Sequence, residues 1–157
     1  QEVARIMLVR ITLMDSGDES YEERIVAICV STRRALLKHP NAAPLILRYF
    51  PKHMLLAAYD RAARDEPFPT QIQLVVIEAI ERLTYGTALF EAAARARGVD
   101  PMPHVDPDKY PNLAKAIADS PFDDEELFVE SLRIFLTGVR ARLAQGTMGK
   151  SLNPAHS

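Results

Sequence analysis

The chain has no tryptophan, one cysteine and six glycines among its 157 residues. A lone Cys29 cannot close an internal disulfide, so the fold does not depend on an oxidising compartment. Cys-x-x-Cys, the Gly-x-Ser-x-Gly elbow and the phosphate-cradling glycine loop are all missing, which leaves nucleophilic and nucleotide-dependent chemistry without a handle. His39, His53, His104 and His156 are widely separated, and none stands in His-Glu-x-x-His or Glu-x-x-His spacing. Zincin and di-iron helices are therefore not signalled, and no metal, cofactor or catalytic residue is expected. On its apolar helix face Cys29 reads as a small core residue, not as half of a thiol dyad. Cationic excess is missing too. With 19 Lys+Arg against 21 Asp+Glu the net charge is −2, whereas neutralising phosphates takes clustered positive charge, so this polypeptide by itself is a poor nucleic-acid binder. The most apolar runs, 72–77 and 83–90, are far shorter than the roughly 20 residues that cross a bilayer. Glu78, Glu81 and Arg82 separate them, no basic-then-apolar export signal opens the chain, and the expected location is cytoplasmic with no membrane contact.

What remains is ordinary globular composition, 48% hydrophobic and 25% charged, in a length that suits one domain with its own core. Apolar residues recur every three or four positions and never in strict alternation, so the chain reads as all-α. Residues 3–14 carry Val3, Ile6, Met7, Arg10, Ile11 and Met14 in helical register with no cap before them, as in a helix entered partway. After the turn Asp15-Ser16-Gly17-Asp18, Ser20 and Glu23 match a capping box that starts a helix at Tyr21. That helix runs to Lys38 and stops at His39-Pro40, because the residue before a proline is pushed out of α space. A short helix capped by Asn41 and another over 52–64 follow. Asp65-Glu66-Pro67-Phe68-Pro69 breaks the pattern, and Thr70 with Gln73 offers a second capping box for the longest helix, 71–97, closed by Gly98. At 1.5 Å per residue it is about 40 Å long. Residues 98–111 are too rich in proline for regular structure; a short helix over 112–119 comes next, then 124–144 capped by Asp123 and Glu126, then a frayed tail over 146–157.

Three patterns bear on function. Acidic residues at 22–23 and 123–126 fall at helix starts, where they meet the positive end of the helix dipole, and Arg34 and Lys38 near a helix end are explained the same way without invoking a partner patch of Arg33, Arg34, Lys38 and Arg48. Gly86 and Gly138 lie inside the two longest helices, where glycine costs about 1 kcal/mol relative to alanine. Close helix approach, within one subunit or between two, would offset that cost. Finally, apolar helices carry scattered polar groups, Cys29, Thr32, Tyr59, Thr84, Tyr85 and Thr87, which is how helix bundles build ligand pockets.

The order of pieces is recognisable at this point. The helix ending in Arg33-Arg34-Ala35-Leu36-Leu37-Lys38-His39-Pro40-Asn41, the long helix with Leu83-Thr84-Tyr85-Gly86, the loop with Tyr110-Pro111-Asn112-Leu113-Ala114 and the closing helix with Phe128, Leu132, Leu136 and Gly138 resemble the C-terminal regulatory domain of tetracycline-repressor (TetR) family transcription regulators. The resemblance spans residues 3–143. It implies that helices 71–97 and 124–144 form a four-helix interface in a homodimer, with Leu83, Gly86, Thr87, Phe90, Leu132, Phe135, Gly138 and Val139 as candidates. It also implies a small-molecule effector cavity near Ile28, Cys29, Thr32, Met54, Tyr59, Ile80, Tyr85 and Leu113. Ile28 and Thr32 stand where tetracycline repressors place an amide and an aromatic, and no histidine matches the ligand of a drug-bound magnesium, so a largely apolar effector is expected instead of tetracycline.

In such regulators an N-terminal helix-turn-helix half binds operator DNA, and that half is missing here. Residues 1–14 are thus expected to be the remainder of a connecting helix, 15–145 the sensing and dimerising domain, and 146–157 a flexible tail. A stand-alone helical carrier, a cofactor-free enzyme with an apolar cavity, or an adaptor with an exposed groove are the competing readings.

Overall fold

The computed structural model describes residues 20–41, 56–100, 102 and 104–149, and the regular structure among them is entirely helical. In order come α1 (Tyr21–Leu37), α2 (Leu56–Asp65), α3 (Thr70–Arg97), α4 (Pro111–Asp119) and α5 (Asp124–Ala144), as an all-α reading requires. The helices expected over 3–14 and 41–50, the start of the one expected from 52, and tail residues 150–157 lie outside the described residues.

Local chemistry places the helix ends. The Ser20 hydroxyl caps α1 by accepting from the Glu23 amide at 3.3 Å. At α5 the box closes in both directions: Asp123 accepts from the Glu125 and Glu126 amides, and the Glu126 carboxylate accepts from the Asp123 amide at 2.8 Å. The box expected at α3 does not form. Pro69, whose ring fixes φ close to the helical value, is the N-cap, so α3 begins one residue early and Thr70 lies inside its first turn. Gln73 Nε2 donates instead to the Phe68 carbonyl at 3.1 Å. Gly98 ends α3 in the left-handed region at φ 66°, where a side chain would be strained. Proline also opens α4 at Pro111, one residue ahead of expectation, because the first turn has no use for its missing N–H.

The core is built by α1, α3 and α5, each packed on the other two. Side-chain pairings give their directions. Tyr21 meets Phe68 edge to face at 6.0 Å near one end, and Arg33 meets Glu91 near the other, so α1 and α3 run parallel. Glu22 pairs with Arg140, Glu23 with Arg133 and Arg34 with Glu125, so α1 and α5 run antiparallel. Val26, Cys29, Phe128 and Leu132 form one buried cluster; Phe68, Ile72, Val76, Leu136 and Val139 form the other. Ala88 and Ala92 are small enough for Leu36 and Leu37 to seat directly on α3.

One charge lies within this packing. Arg33 is 4% exposed, pairs with the buried Glu91 and places its guanidinium 5.5 Å from the centre of the Phe128 ring. Glu91 is also held by Arg95 from the next turn. The basic residues at 33, 34 and 38 are therefore no common surface patch: Arg33 faces inward one turn after Cys29, and Arg34 grips Glu125 with two nitrogens. Removing one member of a buried pair leaves the other charged and dry. Glu91→Ala is expected to cost about 3–5 kcal/mol in urea unfolding, several times the effect of Glu130→Ala at the exposed surface.

Candidate ligand pocket

A cleft of about 160 Å³ opens between α1, α2, α3 and the segment joining α2 to α3. The faces that line it follow helical spacing. From α1 come Tyr21, Ile25, Ile28, Cys29 and Thr32, and from α3 come Ile77, Ile80, Glu81, Thr84 and Tyr85. Tyr59 and Ala62 of α2 and Glu66 beyond its end close the third side.

Six of the residues expected at a cavity, Ile28, Cys29, Thr32, Tyr59, Ile80 and Tyr85, are brought together here. Met54 lies outside the described residues. Leu113 is not in the lining. α4 contributes no buried side chain, and Leu113 is 48% exposed. Ile25, Ile77 and Thr84 lie one turn from residues already implicated, so the same face arithmetic finds them. Glu66 carries no such signal, because it stands in a break that reads only as a turn.

Burial dominates the electrostatics. The Tyr59 hydroxyl donates to the Glu81 carboxylate, tying α2 to α3. Loss of water pushes the Cys29 thiol up to about 11, against a smaller opposite pull from the Thr84 hydroxyl. Burial, and then the Glu81 charge, raise the Tyr85 phenol; burial and then the Glu66 charge raise that of Tyr21. Glu66 is the outlier. It is 7% exposed, both its oxygens are buried with no hydrogen-bond partner among the described residues, and desolvation pushes its carboxyl up to about 7. The Tyr21 hydroxyl opposes that shift without closing to a full hydrogen bond. The lining includes no lysine, arginine or histidine among the described residues.

The residues expected at a subunit interface divide into two groups. Phe90 is 79% exposed, and Gly86, Thr87 and Gly138 are partly exposed. Leu83 and Phe135 are half-buried against the core clusters. Leu132 and Val139, at 0% and 5%, instead belong to the chain's own core, because Phe128, Leu132, Leu136 and Val139 form the inward stripe of α5. The outward stripe is Leu127, Ser131, Ile134, Gly138 and Ala141, alternating by four and three, with Leu127 46% and Ile134 70% exposed. A methyl group built at Gly86 or Gly138 would meet nothing within 4 Å, so neither glycine serves a close approach within the described chain.

Among the described residues no helix is long and apolar enough to cross a membrane, and no three His, Cys, Asp or Glu side chains gather as a metal site. Residues 14–143 match the sequence model of the family described as tetracyclin repressor-like, C-terminal domain. Neither a curated protein nor a solved structure matches the chain.

A carboxyl raised on folding stabilises the protein most below its unfolded pKa, and that contribution is lost as pH rises through the folded value. The stability difference between the native chain and Glu66→Gln should therefore shift in favour of the variant from about pH 4 to about pH 7 and stay level above. Thermal melts across that range measure it; equal slopes for the two proteins would show that Glu66 does not titrate within the fold.

Proposed function

The chain belongs to the tetracycline-repressor-like C-terminal domain family, and on that footing we propose that it is the effector-sensing and dimerising part of a transcription regulator, acting as a repressor. The observation that carries this reading is that α3 presents two distinct faces. One face supplies Ile77, Ile80, Glu81, Thr84 and Tyr85 to the pocket, while Val75 and Phe90, 53% and 79% exposed, lie with Gly86 along a different stripe of the helix. A small, largely apolar molecule bound on one face thereby acts on the element that meets a second copy on the other.

The mechanism is a two-state one. The ligand favours one packing of α1 against α3, the connecting segment at 3–14 follows, and the spacing of the two operator-reading helix-turn-helix domains of the full regulator changes. In the dimer the outward stripes of α3 and α5 pack as a four-helix interface, where the bare backbone at Gly86 and Gly138 allows close approach.

Light scattering behind a sizing column tests the interface. The native chain should run as a dimer at micromolar concentration, and Ile134→Glu, at a 70% exposed position, should halve the mass with helical circular dichroism unchanged. Leu132→Glu should instead unfold the chain, because it buries a charge in the core. A native monomer would overturn the dimer reading. Gly138→Ala provides a separate check: helix propensity predicts a gain of about 1 kcal/mol in the dissociated chain, together with weaker association.

A further inference from the structure

Glu66 stands in the break between α2 and α3, shut from solvent, with neither oxygen hydrogen-bonded among the described residues. An isolated buried carboxylate is costly, and a folded protein that keeps one calls for a partner that completes it. The described lining supplies no cation to do so. Its other carboxylate, Glu81, already accepts from Tyr59. Three tyrosine rings, of Tyr21, Tyr59 and Tyr85, share the wall, and the negative faces of such rings also attract positive charge. The remaining surface is isoleucine, alanine, threonine and cysteine, and a volume near 160 Å³ is that of a cavity known to take a single benzene ring.

We propose that the pocket selects apolar molecules bearing a protonated amine, with the Glu66 carboxylate as their counter-ion. This rests on the effector-pocket reading above and adds the charge of the ligand to it. The apolar part lies against Ile25, Ile28, Ile77 and Ile80, and the ammonium pairs with Glu66 in the same lining.

Titration calorimetry at pH 8, where Glu66 is ionised, tests this with three ring-sized probes: benzylamine, benzyl alcohol and benzoate. Benzylamine should bind the native chain at least about tenfold more tightly than benzyl alcohol, and benzoate most weakly, because a dry ion pair outweighs a neutral hydrogen bond. In Glu66→Gln the amine should fall to within about threefold of the alcohol, whose affinity stays as it was. This variant removes a buried charge, so it should melt no lower than the native chain, which separates lost recognition from lost folding. Equal binding of amine and alcohol, tighter binding of benzoate, or an amine preference that survives Glu66→Gln would overturn the assignment while leaving the pocket in place. Binding of none of the three would overturn the pocket and the assignment together.

Discussion

The buried pair of Arg33 and Glu91 is the constraint on which the arrangement of the other helices rests. One guanidinium touches all three core helices: it starts on α1, pairs with α3 and lies against Phe128 of α5. Slipping α1 by a turn would strand two charges in apolar surroundings, so the pair sets the axial register more sharply than aliphatic contacts do. That register decides which α1 side chains meet α3 near the opposite end. Tyr21, Ile25, Ile28 and Cys29 lie roughly one to three turns before Arg33 on the same rod, Thr32 stands directly before it, and together they are the α1 wall of the pocket.

The middle of α3 has a different character. Thr84 returns its hydroxyl to the Ile80 carbonyl at 2.8 Å and Thr87 does so to Leu83 at 2.7 Å, a pattern that loosens and bends helices, with Gly86 between them. Of this stretch, Thr84 and Tyr85 line the cleft. A bend there would reach both faces of α3 at once, since pocket-lining Tyr85 and partly exposed Gly86 are neighbours.

Much of this was legible in the amino-acid order, for identifiable reasons. Helix ends carried by side-chain chemistry or backbone restriction, Ser20, Gly98 and Asp123, were readable because the residue type itself makes the stop or start. Ile28, Cys29, Thr32, Ile80 and Tyr85 came from the family resemblance, which names the helices around the cavity, and from 3.6-residue periodicity, which says which side chains share a wall. The start of α3 was misread because proline and threonine are both good openers and only the backbone decides between them. Leu132 and Val139 were placed on the wrong face of α5 because both stripes of that helix are apolar, and periodicity identifies a stripe without saying which one points inward. Glu66 was invisible for a third reason: a carboxylate beside Asp65 and just ahead of two prolines looks like any solvated turn until the fold buries it.

Cys29 shares the pocket wall with these groups, and its chemistry is quiet. The thiolate is the form that attacks electrophiles and captures soft metal ions, and burial keeps this sulfur protonated, with its pKa pushed up to about 11. An electrophile resting against it meets the weakly nucleophilic thiol in place of the thiolate. The burial that builds this wall therefore also disfavours covalent capture at its sulfur, and favours contacts that form and break without chemistry.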